Sequence, residues 1–346
     1  MVVSINPIKD ATIYEYYPTK NTGTDQIIEL LYDVDYTSAS RILMKFNTAD
    51  ISTIVSGVSN PQYILRLYAS EQYEIPEDYT IKAFPLSQDW SMGIGKFYNN
   101  PETEDGVIWN STGTVDWIDS GSAYTMVYNY ETGGGSWNSN YSASLDLNYE
   151  TRDLDIDIST IVTAWLSGSI SNYGLIVKVD DEYNLNQDLE LKYFSKDTHT
   201  VYEPKLFINY DTSQFTTGSL EALEDGDISI SIKNLRSSYY TADTVRLYVH
   251  AREKYIQRTY SLTNPYLTSK YLPETTYYSI IDGSSKTTII PFSDYTKVNL
   301  NADDANYFDL YMNNFYPERH YKIIFKVVWS DRQQIYDNNL YFKVIE

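Results

Sequence analysis

The chain has 346 residues, a net charge of −21, 36 tyrosines and no cysteine. The acidic balance repels phosphate backbones and anionic membranes and so argues against direct nucleic-acid binding; without cysteine there is neither a disulfide framework nor a thiolate metal site. A chain of this length predicts about two domains at roughly 150 residues each, with enough buried surface to fold without covalent staples.

Residues 1–10, MVVSINPIKD, lack the basic-then-apolar layout of a signal peptide, and no apolar run approaches the ~20 residues of a membrane span. Strand signals then follow one another: ATIYEY at 11–16, RILMKF at 41–46, YILRLYAS at 63–70, YTIKAF at 79–84, YGLIVKV at 173–179, LELKYF at 189–194 and KLFINY at 205–210. In RILMKF, Ile42, Met44 and Phe46 alternate with Arg41, Leu43 and Lys45. Clusters of Asn, Gly, Ser, Asp and Pro separate the runs, which is turn chemistry, and many short strands punctuated this way predict a sandwich or barrel. One segment keeps another period. Ile158, Ile161, Val162, Trp165 and Leu166 fall on one helical stripe, with Asp157 or Ser159 as cap and Gly168 as a left-handed stop, so a single short helix is expected at about 157–167, with Trp165 wedged into an open end of the sandwich.

Charge density changes after Thr212. Through that residue there are 12 Lys and Arg against 31 Asp and Glu, or −19; the remainder has 14 against 16, or −2. The expected division is therefore a first domain over 1–212, a polar linker over 213–226 and a second domain over 227–346. The second part gives seven strand candidates: ISISI, TVRLYVHA, TYYSII, TIIPF, YFDLYM, YKIIFKVV and LYFKVI. Seven short strands in this length predict an immunoglobulin- or fibronectin-like sandwich. The spacing of Phe315, Pro317, Tyr321, Ile323 and Phe325 resembles the fibronectin type III signature. There Tyr321 would form a tyrosine corner, its hydroxyl bonded to upstream backbone.

Several pieces in order carry a further resemblance: KDATIYEYYPTKNTGTDQIIEL, SRILMKFNTADIS with its Asp-containing turn, LRLYAS, QDW with Trp90, GVIWN with Trp109, DIDISTIVTAWLSGSISNYGLIVK, and EPKLFINY. Residues 1–212 resemble the DNRLRE domain, which implies a jelly-roll-like β-sandwich of the kind found in surface and carbohydrate-associated proteins. The chain departs from that pattern at 91–106, an enlarged loop, and over 118–150. The stretches at 252–282 and 307–327 resemble β-sandwich structural proteins of tailed bacteriophages, particularly those of marine cyanobacteria. The fold class expected is all-β, a jelly-roll-like sandwich followed by a seven-stranded fibronectin- or immunoglobulin-like one. The resemblance implies a non-enzymatic virion protein assembled in the host cytoplasm, associated with the tail or baseplate or decorating the head. Its partners would be other virion proteins and copies of itself, with no nucleic acid and no membrane.

No residue set predicts catalysis, and no cofactor is expected. His199, His250 and His320 are scattered, and GGGSW at 133–137 reads as a flexible loop tip, because no strand, helix or Lys accompanies it. Asp153, Asp155 and Asp157 alternate with Leu154, Ile156 and Ile158, the layout of a half-buried strand with a charged outer face. Asp180, Glu182, Asn184, Asn186 and Asp188 are oxygen donors that calcium could use, but they lack the glycine and spacing of an EF-hand, so a solvated turn is expected and no metal is assigned. Four tryptophans lie between 90 and 137. Trp90 and Trp109 match the DNRLRE pattern and are expected to pack. Trp117 and Trp137, in the variable loops, are the candidate contacts for a glycan or a partner protein, so a glycan-binding adhesin is the alternative function.

Overall fold

The computed structural model describes residues 1–72, 78–103, 105–118, 133–148, 153–224, 226–256, 270–303 and 305–346. The chain divides into two compact units. One comprises Ser4–Gly57 and Pro61–Ile208; the other comprises Asn209–Glu346 with Met1–Val3 and Val58–Asn60.

The N-terminal part of the chain forms β1 (Val2–Ile5), β2 (Lys9–Tyr14), β3 (Ile27–Asp33), β4 (Ser38–Lys45), α1 (Thr48–Ile54), β5 (Gln62–Leu67), β6 (Ala69–Gln72), β7 (Tyr79–Pro85), β8 (Ala143–Leu147), β9 (Leu154–Asp157), α2 (Ser159–Leu166), β10 (Leu175–Val179), β11 (Leu189–Phe194) and β12 (Lys205–Asn209). One sheet has the order β1-β12-β5-β9. The other runs β6-β11-β3-β4-β10-β7-β8, with β2 also pairing β4. This is the jelly-roll-like sandwich, its core made of alternate inward side chains such as Ile28 and Leu30, Leu65 and Leu67, Ile81 and Ala83. Strand β4 departs from alternation: every residue but Lys45 is buried, Arg41 included.

Helix α2 starts one residue later than a side-chain cap would place it. Its N-cap is Ile158 with no side-chain bond, while Asp157 accepts the Ser159 N–H at 3.0 Å. Gly168 closes it with φ +74°, its N–H bonded to the Trp165 carbonyl. Ile161, Val162 and Trp165 are buried, and α2 packs on β5 and α1. The turn expected after β4 is a second helix, α1, capped by Asn47, whose Oδ1 accepts the Ala49 N–H at 3.1 Å, with Asp50 in its first turn.

The second unit contains all seven expected strands and two short ones: β13 (Ile228–Ile232), β14 (Ser238–Tyr240), β15 (Thr244–Glu253), β16 (Thr276–Asp282), β17 (Thr288–Ile290), β18 (Asn299–Asn301), β19 (Ala305–Tyr311), β20 (His320–Val328) and β21 (Gln333–Ile345). The sheets are β13-β15-β19-β18 and β14-β21-β20-β16-β17. Read as lettered strands they are A-B-E-D and A′-G-F-C-C′, the immunoglobulin arrangement. The added strands β14 and β18 have three residues each, too few to show a period. Tyr321 is a tyrosine corner: its hydroxyl accepts the Tyr316 N–H at 2.8 Å and faces the Tyr316 carbonyl at 3.2 Å. Its ring packs on Phe315 and Phe342. Tyr239 does the same five residues from Asn234, accepting the Arg236 N–H at 2.8 Å.

Part of the expected linker is paired within this unit. Phe215 bridges Leu300, and Ala222 bridges Tyr271; the Leu300 N–H donates to the Gln214 carbonyl at 2.7 Å. Much of the 252–282 stretch and of the variable region at 118–150 lies outside the described residues, at 257–269, 119–132 and 149–152.

Candidate functional site

The motifs singled out in the sequence turn out to be joints. In NYG, the Asn172 amide donates to the Phe46 carbonyl at 2.9 Å and to Thr48 Oγ1 at 2.8 Å, tying the β10 approach to the β4–α1 junction. Its Oδ1 accepts the Gly174 N–H. A side chain at Gly174 would lie 2.4 Å from the Met44 carbonyl, so only glycine fits. The Trp90 indole donates to the Tyr173 carbonyl at 2.9 Å, and the Lys9 ammonium lies 4.5 Å from its ring.

Asn21 organises the enlarged loop. Its Nδ2 donates to the Met92 carbonyl at 2.9 Å and the Val107 carbonyl at 2.8 Å, and its Oδ1 accepts the Gly95 N–H at 2.8 Å and the Gly23 N–H at 3.3 Å. Gly93 and Gly106 have φ of +75° and +89° and pack against this amide too closely for a β-carbon. Asp25 accepts the Phe97 N–H at 3.0 Å. The loop is therefore fixed to the sandwich, and it carries Phe97 and Tyr98 outward.

A buried charge cluster lies behind β4. The Arg41 Nε donates to Glu182 Oε1 at 3.0 Å, with Nη2 on the same oxygen, and Nη1 donates to the Gly134 carbonyl at 2.5 Å. The guanidinium sits 4.7 Å from the Trp109 ring and 5.3 Å from the Trp137 ring. Lys178 Nζ reaches Glu182 Oε1 at 3.4 Å. The Tyr183 hydroxyl donates to Glu15 at 3.0 Å. Burial opposes the charge on Arg41, but Glu182 and its neighbours more than offset it and raise the pKa. Burial lowers Lys178 and raises Glu15. The cluster is enclosed, with Arg41 and Lys178 both on Glu182 Oε1, and it ties β4 to the 133–137 and 178–183 segments.

The two candidate contact residues belong to this interior. Trp117 is 4% exposed and Trp137 6%. The Trp117 indole donates to the Ile108 carbonyl at 3.1 Å. Trp137 bridges Leu86, stacks near Phe84 and borders Arg41. Neither ring presents a face to a sugar or a partner; both anchor loops. The GGGSW run is likewise no loose tip. Gly134 has φ +85° and its Cα faces Arg41 and Trp109, and residues 134–137 are buried.

The oxygen-rich run at 180–188 does not converge. Asp180 pairs with Lys82 at 2.6 Å, Glu182 serves Arg41, and Asp188 accepts the Val34 N–H at 2.9 Å. Among the described residues no group of three His, Asp or Glu side chains is placed to hold a metal. Asp155 makes a two-pronged pair with Arg66 at 2.6 and 2.7 Å, Asp153 accepts the Ala69 N–H, and Asp157 accepts from Gln62. They line the outer face of β9. His199 and His320 are exposed and His250 is half-buried, far apart in the chain.

What the sequence does not locate is where its tyrosines gather at the surface. Tyr14, Tyr16 and Tyr17 at the end of β2, Tyr36 on the β3–β4 hairpin, and Asp33, Ser38, Ala39 and Ser40 enclose a groove of about 320 Å³. The Tyr36 N–H donates to Asp33 Oδ1 at 3.1 Å, which sets the hairpin. Tyr36 raises the Tyr16 phenol above its ordinary pKa, with Asp33 adding to the effect. The unbroken YEYY of 14–17 was the available signal: its last two tyrosines fall past the strand, where no alternation buries them.

No family model matches the chain, and no curated protein matches it. Among solved structures it is similar to a DUF4785 family protein from Legionella pneumophila, with 8% sequence identity and a TM-score of 0.20. The alignment covers 100% of this chain and 64% of that one, so the chain spans less than two thirds of its length. At that TM-score the likeness carries no argument about function.

Proposed function

We propose that the chain is a non-enzymatic structural protein of a tailed bacteriophage particle, associated with the tail or baseplate or decorating the head, which works by protein–protein assembly. The observation that carries the assembly reading is where large apolar side chains are left in water. They lie in both units, Tyr16, Tyr36 and Tyr98 among those of the first and Tyr240, Tyr255, Ile335 and Tyr341 in the second, and the second belongs to a part of the chain with a net charge of only −2. Docking there meets little net electrostatic repulsion, and tyrosine brings a broad ring with a polar tip, a composition enriched in interface cores. The resemblances to DNRLRE domains and to phage β-sandwich proteins supply the particle setting.

The test is incorporation into particles. Replacing Tyr240, Ile335 and Tyr341 with serine together is expected to reduce recovery of the chain in gradient-purified particles at least tenfold, with the melting temperature within a few degrees of the parent. Undiminished incorporation would refute docking through this unit.

A further inference from the structure

The aromatic surface of the first unit is a continuous strip. Ring centroids step 4.7 Å from Tyr36 to Tyr16, 4.9 Å to Tyr17, 5.3 Å to Phe97 and 5.1 Å to Tyr98. Successive planes along Tyr16, Tyr17, Phe97 and Tyr98 are nearly perpendicular, at 84°, 89° and 79°, an edge-to-face chain of rings. Tyr16, Tyr36 and Tyr98 are 50%, 61% and 91% exposed. The rings are nonetheless held: Lys20 Nζ lies 4.8 Å from the Tyr17 ring and 4.3 Å from Phe97, and Asp25 and Asp33 fix the backbone beneath Phe97 and Tyr36. Rigid rings lose little conformational freedom when they bind. The adjoining groove, at about 320 Å³, falls within the roughly 300–1,000 Å³ of small-ligand sites.

We propose that this groove and strip bind an uncharged, hexose-based glycan chain. A pyranose has an apolar C–H face that lies on an aromatic ring and a rim of hydroxyls that needs partners. The groove offers both, with tyrosine rings as walls and phenol hydroxyls, the Asp33 carboxylate and Ser38 between them. Charge narrows the class. This part of the chain carries −19 through Thr212, and Asp33 stands in the groove itself, so uronic or sulfated polymers are repelled. The concave, hydroxyl-bearing lining fits a polyol better than the flat apolar face of another protein. The proposal is independent of the assembly reading, which concerns the second unit, and either can fail alone.

Native gels cast with hydroxyethylcellulose, glucomannan or starch, beside gels with polygalacturonate, test it on the full chain. At least one neutral polymer is expected to retard the protein, and polygalacturonate is not. Tyr16→Ala with Tyr36→Ala is expected to weaken that binding at least tenfold while the melting curve stays in place, since both rings are largely in solvent. No retardation by any neutral polymer, retardation by polygalacturonate alone, or binding untouched by the double variant would overturn the proposal. So would self-association in sedimentation that the double variant abolishes, because it would assign the strip to a second copy of the chain.

Discussion

Asn21 shows how much one side chain can decide. Its amide satisfies two backbone carbonyls and accepts two N–H groups in a site closed to water. Each such group left unpaired costs about 1–3 kcal/mol. Asn21→Ala is therefore expected to destabilise the first unit by roughly 3 kcal/mol or more, read from urea unfolding, and to speed proteolysis of the 91–106 loop; a loss under about 1 kcal/mol would mean that the loop is held elsewhere. Asp10 makes a second test. Burial, only partly offset by the Lys196 N–H at 2.7 Å, pushes its pKa up to about 7. Ionising it thus costs more in the folded chain than in the unfolded one. Its contribution to stability falls as pH rises from about 4 to about 7 and is level above that. Asp10→Asn keeps an acceptor for Lys196 and removes the charge. The difference in unfolding free energy between variant and parent is expected to grow across that window, to roughly 1–4 kcal/mol at pH 8. A difference that does not vary with pH would show that Asp10 is not the titrating group.

At the scale of elements, the sequence signals that proved legible were those with a period or a stop. The alternating strands, the α2 stripe and the Gly168 terminator all follow from local rules, and the Tyr321 corner follows from spacing. Elements set by tertiary contact were not legible. Helix α1 has seven residues and one apolar side chain buried, too little for a stripe. The burial of Arg41 on β4 does not follow from its place in the alternation, because the 133–137 segment and Glu182 close over it from 93 and 141 residues away. Trp117 and Trp137 were misjudged for the same reason: a variable loop can be buried. Two glycines separate the local rule from the packing rule. Gly168 has φ +74° with open space around a β-carbon, whereas at Gly93, φ +75°, the β-carbon would meet Asn21 and the Asp105 carbonyl at 2.5 Å. Gly168→Ala is expected to cost about 1 kcal/mol, the backbone penalty alone. Gly93→Ala is expected to cost at least twice as much in the same denaturation assay. Equal costs would mean that the loop packing around Asn21 yields freely.

For the whole molecule, the account divides side chains by what they touch. Interior charges such as Arg41 and Glu182 answer one another, and removing one partner of such a pair leaves an uncompensated charge that typically costs about 3–5 kcal/mol. Surface rings such as Tyr16, Tyr36, Tyr240 and Tyr341 keep 40–61% of their area in water, even where they touch a neighbour as Tyr16 touches Tyr36. This division was only half visible in the sequence. A tyrosine count of 36 announces contact surfaces, but which rings stay outside depends on where each strand ends. The most direct measurement is the copy number of the chain, by quantitative mass spectrometry, in phage particles purified through two successive density gradients. The account expects a fixed, whole-number ratio to the other particle proteins that survives the second gradient; absence from the particles, or a ratio that dwindles between gradients, would contradict it.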